Sequence, residues 1–201
     1  IFRRYEANVK DVKKITDALI KRGVIHGQSD IVNDHIAFRT LGIPYLGIQS
    51  LEKIFLKHGY ERKDRYHFEA KKLDAYWYSP PTPEYPRIFI SELRVQELSF
   101  AAGKIIDKYT RNITGDPVDE LDLNDGHAVG LFLHKSLWET PSKADYETLL
   151  KESEYAAWVI YNRYYLNHYT ISVHALPKGY NTLEEFNQFL EETGVRLNTA
   201  G

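Results

Sequence analysis

Between Val32 and Val95 the spacing of apolar residues switches from a period of two to a helical period and back, which limits the folds open to the chain. Val32 to Thr40 alternates. Ile36 and Phe38 fall on one face and His35, Ala37 and Arg39 on the other, as in a strand with one side turned to a core. Gly42 and Pro44 end it. Ser50 then stands where the N-cap of a short helix is expected, with Leu51, Ile54 and Phe55 facing inward and Gly59 at its C-terminal end. Three more strand-like runs follow: Tyr60 to Phe68, Leu73 to Tyr78, and Arg87 to Val95. The expected order is β-α-β-β-β, an α+β module.

The flanks read differently. Val9, Val12, Ile15, Ala18 and Leu19 recur at helical spacing up to Lys21, and Gly23 is the stop signal. From Glu97 to Ala157 helices and loops take over, with Ile105, Ile106 and Tyr109 on one stripe and an apolar run at Leu131, Phe132 and Leu133. An acidic, turn-rich stretch from Asp116 to Gly126 lies between them. Leu166 to Ala175 returns to strand alternation, with His168, Thr170, Ser172 and His174 on one face and Tyr169, Ile171 and Val173 on the other. Thr182 with Glu185 has capping-box spacing, Leu183, Phe186 and Leu190 form the apolar stripe, and Gly194 closes the helix. The expected organisation is one domain over 1–201: a helical N-terminus in 1–30, the first module in 31–96, a helical insertion in 97–160, and the opening of a second, truncated module in 161–201.

Composition narrows the chemistry. With 26 Lys plus Arg against 28 Asp plus Glu, the net charge of -2 argues against a nucleic-acid partner, whose footprint is a basic excess. No apolar run approaches the roughly 20 residues that span a bilayer, and no leader pattern is present, so no membrane partner is expected and the cytoplasm is the expected compartment. The chain has no cysteine, which leaves imidazole and carboxylate as metal ligands and excludes a thiolate nucleophile. There is no glycine-rich phosphate loop, no Gly-x-Ser-x-Gly elbow and no His-Glu-x-x-His helix. A small-molecule partner is expected.

His35 and Arg39 share a strand face about 13 Å apart at the usual rise per residue. A ligand held on a metal at His35 could therefore offer a carboxylate to the fork of Arg39, which binds planar anions in a bidentate way. The plain alternatives are a packed histidine and an inter-strand ion pair. His168 heads the other candidate strand, with Asn167 before it as Asp34 stands before His35. Two imidazoles and one carboxylate make the facial triad of non-haem Fe(II) oxygenases. Within the chain the weak candidate for that carboxylate is Glu92, which the strand context favours more as an ion-pair partner of Arg94 or Arg87. His174 reads as a surface residue or a support for a ligand. His26, His58, His67, His127 and His134 read as solvated, and Tyr155, Trp158, Tyr161, Tyr164 and Tyr165 as packing.

Val32-Asn33-Asp34-His35-Ile36-Ala37-Phe38-Arg39-Thr40, Tyr76-Trp77-Tyr78, Ile90-Ser91-Glu92-Leu93-Arg94-Val95, Ala156-Ala157-Trp158 and Asn167-His168-Tyr169-Thr170 together resemble the 2-oxoadipate dioxygenase/decarboxylase family. That resemblance implies a fold related to glyoxalases and vicinal-oxygen-chelate enzymes. It also implies a mononuclear Fe(II) enzyme of lysine catabolism that converts 2-oxoadipate and O2 to D-2-hydroxyglutarate and CO2. His35 and His168 then look like imidazole ligands and Arg39 like the holder of the substrate carboxylate. The third ligand, a Glu on a later strand, is expected beyond residue 201. The competing expectations are a glyoxalase-like lyase or isomerase using Zn or Ni, and a non-catalytic small-molecule-binding protein on the same scaffold.

Overall fold

The computed structural model describes residues 2–198. In chain order its elements are α1 (Phe2–Asn8), α2 (Lys10–Lys21), β1 (Asn33–Leu41), α3 (Ile48–Lys57), β2 (Glu61–Phe68), β3 (Leu73–Ser79), β4 (Arg87–Leu93), α4 (Phe100–Thr110), α5 (Gly126–Phe132), α6 (Lys143–Glu152), α7 (Glu154–Asn162), β5 (His168–Ile171) and α8 (Leu183–Glu192). The strands form a five-stranded sheet in the order β2-β3-β4-β1-β5. This is the α+β class expected. The chain divides into two compact units, 36–168 and a smaller one made of 1–35 with 169–201, and the boundary runs through β1 and β5.

In the larger unit the β-α-β-β-β order of the sequence is realised almost residue for residue. β3 pairs antiparallel with both β2 and β4, placing Asp74 opposite Glu92 and Ala75 opposite Ser91. Between Arg62 and Arg65 the β2–β3 register shifts, which puts Arg62, Arg65 and His67 opposite Tyr78, Tyr76 and Asp74. Phe38 meets Phe55 at 5.4 Å between ring centres, so α3 covers the Phe38 face of β1. Leu51, Ile54, Tyr78, Ile88 and Ile90 are buried with them. Burying these side chains supplies the main favourable term for the unit, at about 1.5–3 kcal/mol for each fully buried aliphatic residue.

Here α3 begins earlier than its sequence suggests. Its N-cap is Gly47, and Ser50 lies inside the first turn. The Ser50 hydroxyl donates to Asp116 at 2.6 Å, a partner 66 residues away. Glu92 supplies the cap that Gly47 cannot: its Oε2 accepts from the Ile48 N–H at 2.8 Å, a carboxylate against the positive end of the helix dipole. The expected Glu92 pairing with Arg94 or Arg87 is not what forms. Arg94 instead donates to Glu97 at 2.5 Å and to the Leu73 carbonyl at 2.9 Å. The stretch read as a helical insertion holds α4 to α7, with Ile106 and Tyr109 buried and Leu131 exposed.

In the smaller unit Leu19, Ile25, Ile31, Val173, Leu176, Phe186 and Phe189 form one core. The Thr182 hydroxyl accepts from the Glu185 N–H at 3.2 Å, the cap its spacing predicts. Two expectations fail here. Leu183, the first residue of α8, is exposed, and the buried side chains of the helix are Phe186 and Phe189. The strand expected over Leu166 to Ala175 stops at Ile171, and a 3-10 turn at Val173–Ala175 carries His174 out to solvent. No helix among the described residues is long and apolar enough to cross a membrane.

Candidate active site

Arg39 projects from the face of β1 opposite Phe38, and the helix that meets it is α7. Its Nη1 donates to both carboxylate oxygens of Glu154, at 3.0 and 3.1 Å. Its guanidinium carbon lies 4.9 Å from the centre of the Tyr155 ring and 5.2 Å from that of Trp158. Residues 155 and 158 are three apart on a helix and so share a face, which lets two rings meet one cation. Ser153 starts the helix by accepting from the Ala156 N–H at 3.1 Å, which places Glu154 in the first turn within reach of Arg39.

Tyr155 is held at its far end as firmly as at its ring. Its hydroxyl donates to the Ser91 carbonyl at 2.9 Å, accepts from the Thr40 N–H at 3.2 Å, and lies 2.8 Å from Ser91 Oγ. It thereby ties β1 to β4 next to Arg39. Burial pushes the hydroxyl's pKa well above its ordinary value, so it stays protonated and remains a donor.

The two candidate ligand histidines have matching supports. His35 Nδ1 lies 2.8 Å from Asp34 Oδ2, and His168 Nδ1 lies 2.8 Å from Asn167 Oδ1. An acceptor on Nδ1 selects the tautomer with its proton there and its lone pair on Nε2, the arrangement in which imidazole binds metals. At His35 that lone pair faces the Thr170 hydroxyl, 3.1 Å from Nε2. His35 belongs to the smaller unit and His168 to the larger, and each geometry stands within its own unit.

Among the described residues no three His, Asp or Glu side chains gather as a metal-binding group. Each imidazole, taken by itself within its own unit, has the donor chemistry of a metal ligand. Glu92, the weak in-chain candidate for a third, is committed to the α3 N-terminus. A cavity of about 570 Å³ opens on the opposite side of the sheet, beside that helix end, lined by Arg62, Arg65, Asp74, Tyr76 and Glu92 among others. Its charges are matched internally, Arg65 on Asp74 at 3.0 Å and Lys53 on Asp116 at 2.8 Å.

The sequence singles out Arg39, His35 and His168 but not the neighbours that the structure sets against Arg39 and His35: Glu154, Tyr155, Ser91 and Thr170. The one available signal was the pairing of Tyr155 and Trp158 at helical spacing, which was read as packing. Of the other histidines, His67 is not merely solvated. It bridges Asp74 and Glu69, both at 2.7 Å, and the hydrogen bond to Asp74 raises its pKa.

The model of the 2-oxoadipate dioxygenase/decarboxylase family matches residues 1–200. The chloroplastic protein of that name from Arabidopsis thaliana is 43% identical over 181 residues, covering 84% of this chain and 46% of that protein. The chloroplastic/amyloplastic one from Oryza sativa subsp. japonica is 42% identical over 182 residues, covering 85% and 48%. The chain thus spans about half the length of these relatives. The crystal structure of the Oryza sativa hydroxyglutarate synthase in complex with 2-oxoadipate superposes with a TM-score of 0.83 at 37% identity, over 96% of this chain and 61% of that one. A glyoxalase superfamily protein from Ralstonia eutropha JMP134 shares the fold, with a TM-score of 0.76 at 22% identity over 98% of this chain and 65% of that one. With a match that runs from one end of the sequence to the other, the chain belongs to the 2-oxoadipate dioxygenase/decarboxylase family.

Proposed function

We propose that this chain carries the substrate anchor and two metal ligands of a non-haem Fe(II) dioxygenase/decarboxylase acting on a 2-oxo dicarboxylic acid. The reaction is 2-oxoadipate plus O2 to D-2-hydroxyglutarate plus CO2, a step of lysine catabolism. The observation that carries the reading is the matched support of His35 by Asp34 and of His168 by Asn167, which prepares both Nε2 atoms to bind a metal. The reaction balances without another reductant, because the 2-oxo acid itself supplies the electrons that reduce O2.

In this reading His35 and His168 hold the iron, and a third carboxylate comes from beyond residue 201. Fe(II), when bound, would supply a Lewis acid for the 2-oxo carboxylate end and a redox partner for oxygen. Arg39 takes the distal carboxylate and so sets substrate length. Tyr155 and Trp158 keep water off the guanidinium, which strengthens its hold on an anion. Nucleic acid and membranes have no part in it. The cytoplasm is the compartment proposed, though both plant relatives are named as plastid proteins.

The test is oxygen uptake by the full gene product supplied with Fe(II) and 2-oxoadipate, with CO2 and 2-hydroxyglutarate measured in step. No uptake, together with isomerisation of an aldehyde adduct by the Zn or Ni form, would instead establish the glyoxalase-like alternative. Ligand binding that survives His35→Ala without turnover of either kind would establish a binding protein.

A further inference from the structure

Arg39 spends only part of its hydrogen-bonding capacity. Both bonds to Glu154 leave from Nη1, and among the described residues Nε and Nη2 have no protein partner. The guanidinium is largely shielded, its side chain 23% exposed, while Glu154 is 62% exposed. Two rings flank the cation, and the nearer is fixed by its hydroxyl to Thr40 and Ser91. A flexible arginine is thus held from three directions, with one edge left over.

We infer that the first two turns of α7 form a clamp that orients Arg39, leaving its Nε–Nη2 edge to receive one singly charged terminal carboxylate. Glu154, Tyr155 and Trp158 are then positioning residues that set specificity. This deepens the proposed function and rests on Arg39 being the anchor. The edge matches a planar carboxylate in size and in its two parallel donors. Glu154 adds a selection of its own. Its negative charge beside the same guanidinium opposes a dianionic end group, so a phosphate or phosphonate tail is disfavoured against a carboxylate of the same length. A neutral tail is disfavoured for another reason, since it leaves the guanidinium edge shielded and unpaired.

The experiment uses the full gene product with Fe(II). Dissociation constants come from anaerobic calorimetry and KM and kcat from oxygen uptake, for 2-oxoadipate and for 2-oxohexanoate, the monocarboxylate of equal length. Tyr155→Phe and Trp158→Leu are expected to weaken 2-oxoadipate binding about tenfold, with kcat within about twofold and 2-oxohexanoate unaffected. Trp158→Phe, which keeps a ring, is expected to restore most of the loss. Glu154→Gln is expected to improve binding of the phosphonate analogue about fivefold or more relative to 2-oxoadipate. Equal effects on the two 2-oxo acids, or a fall in kcat alone, would overturn the clamp. Arg39→Met separates the two ideas. If the preference for the dicarboxylate survives it, the anchor reading falls and the clamp with it; if the preference is lost there but kept in the α7 variants, only the clamp falls. Because calorimetry reads binding without turnover, failure of the oxygenase assignment leaves this comparison intact.

Discussion

Arg39 Nη1 reaches both carboxylate oxygens of Glu154 across 115 residues of sequence, and it does so from a strand that presents Phe38 to the core on its other side. That pairing makes the guanidinium a fixed object. Replacing it by Arg39→Lys keeps a positive charge but removes the planar fork and most of the stacking. The expected result is an about tenfold rise in the dissociation constant for 2-oxoadipate, read by calorimetry on the full gene product. Affinity unchanged within twofold would show that charge alone suffices.

Asp34 is the second place where a neighbour orients a side chain given a role in the proposed function. Asp34→Asn keeps an acceptor near His35 Nδ1 but removes its charge, which lowers the basicity of Nε2. Metal affinity is expected to fall about 10–100-fold, and further in His35→Ala, measured by competition with a chelator of known affinity. Undiminished metal binding in His35→Ala would remove that histidine from the ligand set.

Gly42 is required by a close approach. A Cβ there would lie 2.7 Å from the Leu93 carbonyl oxygen, which also accepts from the Gly42 N–H at 2.8 Å. A main-chain atom on β4 cannot step aside as a flexible side chain can. Gly42→Ala is expected to destabilise by about 1–3 kcal/mol, seen as a lower urea midpoint with an unchanged slope.

Asp145 gives the pH dependence a defined sign. The Lys108 amine at 2.7 Å and the Tyr109 hydroxyl at 2.6 Å lower its pKa to about 2 from an ordinary 3.8. A carboxylate with a depressed folded-state pKa stabilises above its unfolded value and loses that contribution as pH falls through the folded one. Asp145→Asn is therefore expected to lower stability by about 1 kcal/mol near neutrality. The gap from the parent should close between pH about 4 and about 2 in denaturation curves. A gap that persists at pH 2 would mean that shape, not charge, accounts for the difference.

What could be read from the sequence alone was local. The alternation of Val32 to Thr40, the Thr182 cap, and the glycines at 23, 59 and 194, all at positive φ, each depend on residues within a turn or a few strand positions, where backbone geometry decides. The same holds for Asp34 beside His35 and Asn167 beside His168, adjacent pairs whose contact needs no fold to bring them together. The partners of Glu92, Ser50 and Arg39 lie 44, 66 and 115 residues away, and packing alone chose them. Glu92 looked like an ion-pair residue because two arginines were near in sequence, yet the N-terminus of α3 was nearer in space and lacked a side-chain cap. Leu183 is exposed while Phe186 and Phe189 are buried, because which side of α8 is covered is set by what it packs against. Tyr155 and Trp158 were legible as a pair on one helix face. That the face meets Arg39 was decided by the tertiary structure, because an aromatic stripe has the same spacing whether it covers a core or holds a cation.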